Sequence, residues 1–364
     1  MKLTAKREDL LAPLQSVIGV VERRQTMPVL ANVLLSARER RLGVTGTDLE
    51  VELVAGTQVQ VDLPGDVTVP GRKFLEILRA LPDGIDVTLA TEGERVTVRA
   101  GRSRFTLSSL PAAEFPVLEE MQAQQTLTLP QEQFRRLIDK TYFSMAQQDV
   151  RYYLNGLLLE TEESTLRAVA TDGHRLALSE MSLDEPARGG QVIVPRKAVL
   201  ELQRTLGMEG MIELAISSNH VRAQIGDIRF SSKLIDGRFP EYGRVIPDNP
   251  TKVALADREL LRQALQRTAI LANEKYRGIR VTVKPDLLTL QAHNPEHEEA
   301  EDQVEVSYAG EEVEIGFNVT YLLDALGAIE TDQVELGFTD ANSSCLIRAP
   351  GLAQTRYVVM PMRL

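Results

Sequence analysis

Apolar and polar positions alternate along this chain with two different periods. QVQVDL, DVTVP, GIDVTLA, RVTVRAG and RFTLSSL step with period two, the pattern of antiparallel strands buried on one face. Between such runs the period lengthens. In KLTAKREDLLAPLQSVIGVV a short strand gives way to Leu10, Leu11, Leu14, Val17 and Ile18, which fall on one side of a helix. The spacing predicts helices over 6–24, 71–81, 130–148, 195–206, 257–277 and 318–329, each entered from a strand and followed by several more. Pro70, Pro130 and Pro195 stand at or near helix starts, where a residue without an N–H costs nothing.

The pattern repeats. TGTDLEVEL (45–53), AVATDGHRLAL (168–178) and LQAHNPEHEEA (290–300) correspond, with Asp48 and Asp172 separated by 124 residues and Asp172 and Asn294 by 122. VTVPGRKFLEILRALPDG (67–84) is echoed by VIVPRKAVLELQRTLGMEG (192–210), and EIGFNVTYLLDALGAIETD (314–332) keeps the strand-then-helix order without the proline. RFTLSSLPAAEFP (104–116), RFSSKLIDGRFP (229–240) and TRYVVMP (355–361) close the three copies. Independent landmarks at one spacing predict an α+β protein of three repeated domains, 1–124, 125–249 and 250–364. Each is built from two βαβββ halves. A period this long implies globular domains with their own cores and not a solenoid.

Composition narrows the class. With 364 residues and 43% hydrophobic content, the chain is ample for a buried core. The single cysteine, Cys345, excludes an intramolecular disulfide. The start, MKLTAKREDLL, has no apolar signal region, and no apolar run approaches the roughly 20 residues of a bilayer span. A soluble, cytoplasmic protein without membrane contact is the expectation. The net charge of −11 argues against a nucleic-acid partner until its distribution is examined. The six predicted helices carry 18 Lys and Arg against 11 Asp and Glu; the remainder carries 23 against 41. Lys and Arg are good helix formers and could simply decorate solvated faces, but Glu is equally good and is depleted there. Basic helices on an acidic body suit a surface facing a polyanionic backbone.

DVRYYLNGLLLE (149–160), VATDGHRLAL (169–178), DGRFPEY (236–242), NEKYRG (273–278), EIGFNVTYLLDAL (314–326) and the terminal YVVMPMRL (357–364), together with the triplication, resemble the bacterial sliding clamps, the beta subunits of the replicative DNA polymerase III holoenzyme. The resemblance runs the length of the chain. It implies a processivity factor: a head-to-tail homodimer forming a ring, helices lining the inside and antiparallel sheets the outside. Such a ring encircles duplex DNA irrespective of sequence and tethers the polymerase. Twelve helices spaced about 9 Å apart would enclose a bore about 24 Å wide after their own radii are subtracted. A B-form duplex, at least about 16 Å across from its groove depths, would pass loosely.

The resemblance assigns DNA contacts to Arg24, Arg72, Gln148, Tyr152 and Tyr153, with Arg196 and Lys197 as weaker additions. Arg and Lys meet phosphates, and tyrosines offer stacking faces and hydroxyls. One of the two tyrosines could instead be core, since neighbours on a strand face opposite ways. The chain end is unusually apolar, and methionine surfaces adapt to varied ligands. The resemblance sets Val358, Met360, Pro361, Met362 and Arg363 beside Leu154, Thr171, Gly173, His174, Arg175, Leu176, Pro240, Arg244 and Val245, forming a groove. Short linear motifs of the polymerase III catalytic subunit, the clamp loader, other polymerases and repair proteins would dock there. Gly243 stands where relatives often carry a basic residue. For the dimer interface, Glu296, Glu298, Glu299, Glu301 and Asp302 on one side face Lys73, Arg102 and Arg104 on the other. Phe105 and Leu107 are the apolar candidates beside the basic set, and Ile270 and Leu271 beside the acidic one. Opposite charges at opposite ends favour head-to-tail association, although an acidic run is more often a solvated loop.

Catalysis is the rival reading. Asp172 with His174 could serve as an acid–base pair, and His293 with His297 as metal ligands. Yet there is no phosphate-binding glycine loop, HExxH, cysteine cluster or G-x-S-x-G, and Thr-Asp-Gly is a turn in its own right. No enzyme activity, cofactor or metal is expected. A peptide-binding scaffold that ignores DNA would share the groove but not the basic helices.

Overall fold

Strand and helix follow one another without a linker in every half-repeat, because the last strand residue doubles as the helix cap. The computed structural model describes residues 1–21, 27–118 and 121–363. The first repeat holds β1 (Lys2–Lys6), α1 (Arg7–Val17), β2 (Asn32–Arg38), β3 (Arg41–Thr47) and β4 (Val51–Gln58), then β5 (Gln60–Leu63), β6 (Gly65–Pro70), α2 (Gly71–Ala80), β7 (Asp86–Glu92), β8 (Arg95–Ala100) and β9 (Ser103–Ser108). The second holds β10 (Gln125–Pro130), α3 (Gln131–Asp139), β11 (Gly156–Glu162), β12 (Thr165–Thr171), β13 (Arg175–Ser182), β14 (Gly190–Pro195), α4 (Arg196–Thr205), β15 (Met211–Ile216), β16 (His220–Ile225) and β17 (Ile228–Lys233). The third holds β18 (Lys252–Asp257), α5 (Arg258–Thr268), β19 (Gly278–Lys284), β20 (Leu287–His293), β21 (Glu299–Ser307), β22 (Val313–Asn318), α6 (Val319–Ala328), β23 (Gln333–Phe338), β24 (Cys345–Arg348) and β25 (Thr355–Val359). Among the described residues these are six βαβββ halves plus one extra strand, β5.

Pro70, Pro130 and Pro195 each end a strand immediately before a helix. In the third repeat side-chain caps replace them: Asp257 accepts from the Leu260 N–H at 2.8 Å and Asn318 from the Thr320 N–H at 2.9 Å. Three helices are shorter than their periodicity predicts. α1 stops at Val17, α3 at Asp139 and α5 at Thr268, instead of 24, 148 and 277. At α3 and α5 a buried threonine ends the run, its hydroxyl returning to carbonyls of the preceding turn (Thr141 to Leu137, 2.8 Å; Thr268 to Ala264, 2.9 Å). The helices as observed carry 12 basic and 8 acidic residues, so the excess of positive charge is smaller than the predicted spans imply.

The leading strands are exchanged between the halves of each repeat. β1 joins β7 while β6 joins β2; β10 joins β15 while β14 joins β11; β18 joins β23 while β22 joins β19. Adjacent repeats then fuse edge to edge, β4 with β17 and β13 with β25. The resulting sheets have five, eight and twelve strands, all antiparallel. These fusions explain why the chain divides into two compact units that do not follow the repeats: Met1–Glu132 with Lys197–Leu234, and Gln133–Arg196 with Ile235–Leu364.

In the first unit α1 packs on β3 and β4, burying Leu10, Pro13, Leu14 and Val17, while Leu11 and Ile18 are only half-buried. Gly46 allows this approach: a Cβ there would lie 2.9 Å from the Val17 carbonyl oxygen. In the second unit α5 and α6 cover one large apolar cluster that includes Phe317, Phe338 and Tyr357. A second cluster joins Leu158, Leu176, Leu178, Phe239, Ile246 and Val358.

Candidate functional site

The apolar end of the chain is committed to the second unit. β25 pairs with β13 so that Leu176 faces Val358, and beyond it the Met360 N–H reaches the His174 carbonyl at 2.9 Å and the Met362 N–H the Gly316 carbonyl at 2.8 Å. Leu176 and Val358 share the second cluster with Phe239 and Ile246, and Tyr153 and Tyr242 pack against it. The tail strand, the 171–176 turn and the segment around Pro240 therefore meet. Val358 is fully buried, whereas Met360, Pro361 and Met362 remain half-buried and Arg363 exposed. Leu154 is buried at the end of the turn Tyr152–Leu154. Val245 is exposed, and Arg244 pairs with Glu241 at 2.6 Å.

The turn itself is tightly bonded. Asp172 accepts from the backbone N–H of His174 (2.9 Å) and Arg175 (3.0 Å), and the Thr171 hydroxyl donates to the Arg175 carbonyl (2.6 Å) and accepts from the Gly173 N–H (3.1 Å). Gly173 has φ +87°, which a side chain would resist. Asp48 caps the equivalent turn of the first repeat in the same way, accepting from Glu50 and Val51. Both aspartates thus serve the turn. Among the described residues no group of three or more His, Cys, Asp or Glu could hold a metal.

The segment after Pro240 is pinned by charges absent from the sequence-derived set. The Tyr242 hydroxyl donates to Glu160 and accepts from Arg167 at 3.0 Å, and Arg167 also bonds Glu160 (2.6 Å) and Glu180 (2.7 Å). Burial pushes the Tyr242 phenol up to about 12, reinforced by Glu160. Burial also pushes the Glu160 carboxyl up, but bonds from Tyr242, Gln191 and Arg167 outweigh it and leave it below the usual range. A cavity of 470 Å³ opens beside this network, with Pro240, Phe239 and Arg238 in its wall.

Arg24 lies outside the described residues. Of the other positions assigned to DNA, Arg72 donates to the Val21 carbonyl at 2.7 Å and Lys197 is paired with Asp48. Gln148 is exposed with φ 56°. Tyr152 and Tyr153 are on a 3-10 turn, not a strand; Tyr152 is exposed while Tyr153 packs on the apolar cluster, their rings 5.8 Å apart. Around them the loop is closed by reciprocal Asp149–Asn155 bonds of 2.9 Å. Arg151 grips Asp149 through two bonds and holds its carboxyl at about 2. Arg196 donates to Met145 of the same loop at 3.2 Å.

Of the residues assigned to a dimer contact, Arg104, Phe105 and Leu107 lie on β9, which among the described residues pairs only with β8, and Arg102 in the turn before it. Lys73 is exposed on α2. In the second unit Glu299, Glu301 and Asp302 lie on β21, which bonds β18 only through Val306 and Ser307 and leaves the rest of that edge open. Asp302 is held by Arg267 at 2.7 Å, which lowers its carboxyl. Glu296 and Glu298 are exposed in the preceding turn, and Ile270 is 77% exposed beside half-buried Leu271.

Family models for the DNA polymerase III beta subunit match in series: the N-terminal domain over residues 1–119, the central domain over 128–241 and the C-terminal domain over 243–363. The chain belongs to the bacterial beta sliding clamps. It is 54% identical to the beta sliding clamp of Pseudomonas putida and 52% identical to that of Escherichia coli K12, with both chains covered in full. The fold matches a crystal structure of the Pseudomonas aeruginosa sliding clamp with a TM-score of 0.97 at 51% identity, each chain covered completely. The Pseudomonas aeruginosa clamp bound to griselimycin matches at 0.96 and 52%, again over both chains. As a beta clamp this is a non-catalytic processivity subunit of DNA polymerase III, with DNA and the polymerase as partners. No helix among its described residues is long and apolar enough to cross a membrane.

Tyr242, Arg167, Glu160 and Asp324 were not singled out from the sequence. Asp324 carried a signal: it is the one charge in the otherwise apolar and neutral α6 sequence VTYLLDALGA.

Proposed function

We propose that two copies of this clamp close head to tail into a ring around duplex DNA, sliding without reading sequence and tethering the polymerase through the groove at the chain end. The observation that carries the reading is the pattern of repeat junctions. β17 meets β4 and β25 meets β13 in one register: Arg229 opposite Val54, Arg356 opposite Leu178. β9 is the counterpart of β17 and β25, and β21 the counterpart of β4 and β13. Among the described residues β9 has no partner on that edge and β21 only its two-residue contact with β18, whereas the equivalent edges are paired along their length, and an open edge is a template for another chain. A second copy supplies it, and a heterologous contact whose rotation closes gives a ring. The same register would set Arg104 of one copy opposite Glu301 of the other. It would also repeat the Arg229–Glu52 ion pair, 3.7 Å apart, as Arg104 with Glu299.

In this ring the domains span 1–124, 125–249 and 250–364, helices face the bore and sheets the outside. Arg24, Arg72, Gln148, Tyr152, Tyr153, Arg196 and Lys197 make loose contacts with phosphates. Met360, Pro361, Met362 and Arg363, with the 171–176 turn and the Pro240–Val245 wall, receive linear motifs of the polymerase catalytic subunit, the clamp loader, other polymerases and repair proteins. Cytoplasmic location follows from that role. The deciding experiment loads the protein on closed circular duplex and then linearises it. Retention on circles with rapid loss from linear ends is expected. Equal retention on both would refute threading.

A further inference from the structure

Arg175, assigned above to the peptide groove, is already bonded through all three of its guanidinium nitrogens. Its Nε bonds Asp172 at 3.2 Å, one terminal nitrogen pairs with Asp324 of α6, and the other donates to the Phe143 carbonyl at 2.7 Å. The guanidinium also stacks 4.5 Å above the Tyr321 ring and 5.7 Å from that of Phe143. All three nitrogens of the fork are engaged, and its side chain is only 13% exposed. Every nitrogen already carries an acceptor, so a carboxylate seeking a two-pronged grip on the fork would have to compete with one of them.

That engagement changes what the residue does. Arg175 holds Asp172, and Asp172 holds the backbone N–H groups of His174 and Arg175. The His174 carbonyl in turn anchors Met360. A chain of bonds thus runs from Asp324 through Arg175 and Asp172 to the turn and the tail residue that form the groove. We propose that Asp324 is a positioning residue of the groove: it fixes Arg175, and through it the 171–175 turn, in the shape that receives a peptide, while Arg175 itself makes no bond to the peptide. Tyr321, one helical turn before Asp324, supports the same guanidinium from its face. The inference rests on the groove reading given above.

Griselimycin, bound by relatives, is the probe, and its affinity for the full-length protein is measured by calorimetry. Asp324→Asn keeps the shape but removes the charge that holds the fork. It is expected to weaken binding about tenfold, the effect of losing one charge-assisted bond. Asp324→Glu should recover most of the loss. In an Arg175→Gln background, Asp324→Asn should add almost nothing, because the two act through one link; a general destabilisation would add in full. If Asp324→Asn does not fold, Arg175→Lys, which keeps the charge and loses the fork, should show a comparable loss. Unchanged affinity in Asp324→Asn, or a gain as the freed guanidinium finds the ligand, overturns the proposal. Deleting Met360–Leu364 separates the two levels. Binding lost there but kept in Asp324→Asn leaves the groove standing and the positioning role refuted. Binding kept after the deletion sinks the groove and the proposal with it.

Discussion

Single residues in this protein do most of their work on turns. Asp172 could be drawn as a catalytic acid in isolation, yet it and Asp48 each spend one oxygen on two backbone N–H groups and the other on a cation, Arg175 and Lys197 respectively. At Asp172 the Thr-Asp-Gly pattern predicted as much. The network under the Pro240 wall was not legible, because Tyr242 is 75 residues from Arg167 and the neighbouring Glu160 and Arg167 sit in segments that read as ordinary strand. Tyr242→Phe should cost about 1–2 kcal/mol in denaturant unfolding, since Glu160 and Arg167 lose a shared hydroxyl. Glu160→Gln should cost more, and its cost should depend on pH. The folded-state pKa of Glu160 is depressed, so its stabilisation is complete above the ordinary carboxylate range and lost as pH falls through the lowered value. The stability gap between wild type and Glu160→Gln should therefore be widest near neutral pH and narrow below about pH 4.

At the level of elements, the alternating strands were predicted well because one buried face enforces period two. Helix ends were predicted poorly. The apolar spacing that signals a helix continues into 3-10 turns after α3 and α5, and a threonine that bonds backward leaves no mark in hydrophobic periodicity. The shortened helices also carry less net positive charge, and several of their cations are paired, Arg204 with Glu201 and Arg262 with Glu259 among them. Helix starts behave differently along the chain: α1 follows Lys6, which gives no side-chain cap, α2, α3 and α4 follow a proline, and α5 and α6 have side-chain caps. Asp257→Ala should lower stability by about 1 kcal/mol, measured by chemical denaturation, and Asp257→Asn by much less, because the amide oxygen still accepts from Leu260.

The whole molecule is organised by edges. Exchange of leading strands closes each repeat, fusion of β4 with β17 and β13 with β25 joins the repeats, and among the described residues one edge of β9 and most of one edge of β21 stay open. If they join between copies, charge should set the register. Arg104→Glu or Glu299→Arg alone should shift sedimentation at micromolar concentration towards monomer. The two variants mixed should recover both junctions of the ring, one through the swapped pair and the other through the native Arg104 and Glu299. Persistent dimers in both single variants would argue that Phe105, Leu107, Ile270 and Leu271 hold the contact without help from charge.

The sequence by itself determined the triplication, the half-repeat order and the membership of the clamp family, because these are written in local period and in motifs that need no partner to be recognised. Only the tertiary structure decided which strand of each half crosses to the other, which edges stay open, and that Arg175 is already bound. Those outcomes depend on pairings between distant residues, 149 positions apart for Arg175 and Asp324 and farther still for β13 and β25, and a period read along the chain carries no information about which distant carboxylate will complete a guanidinium.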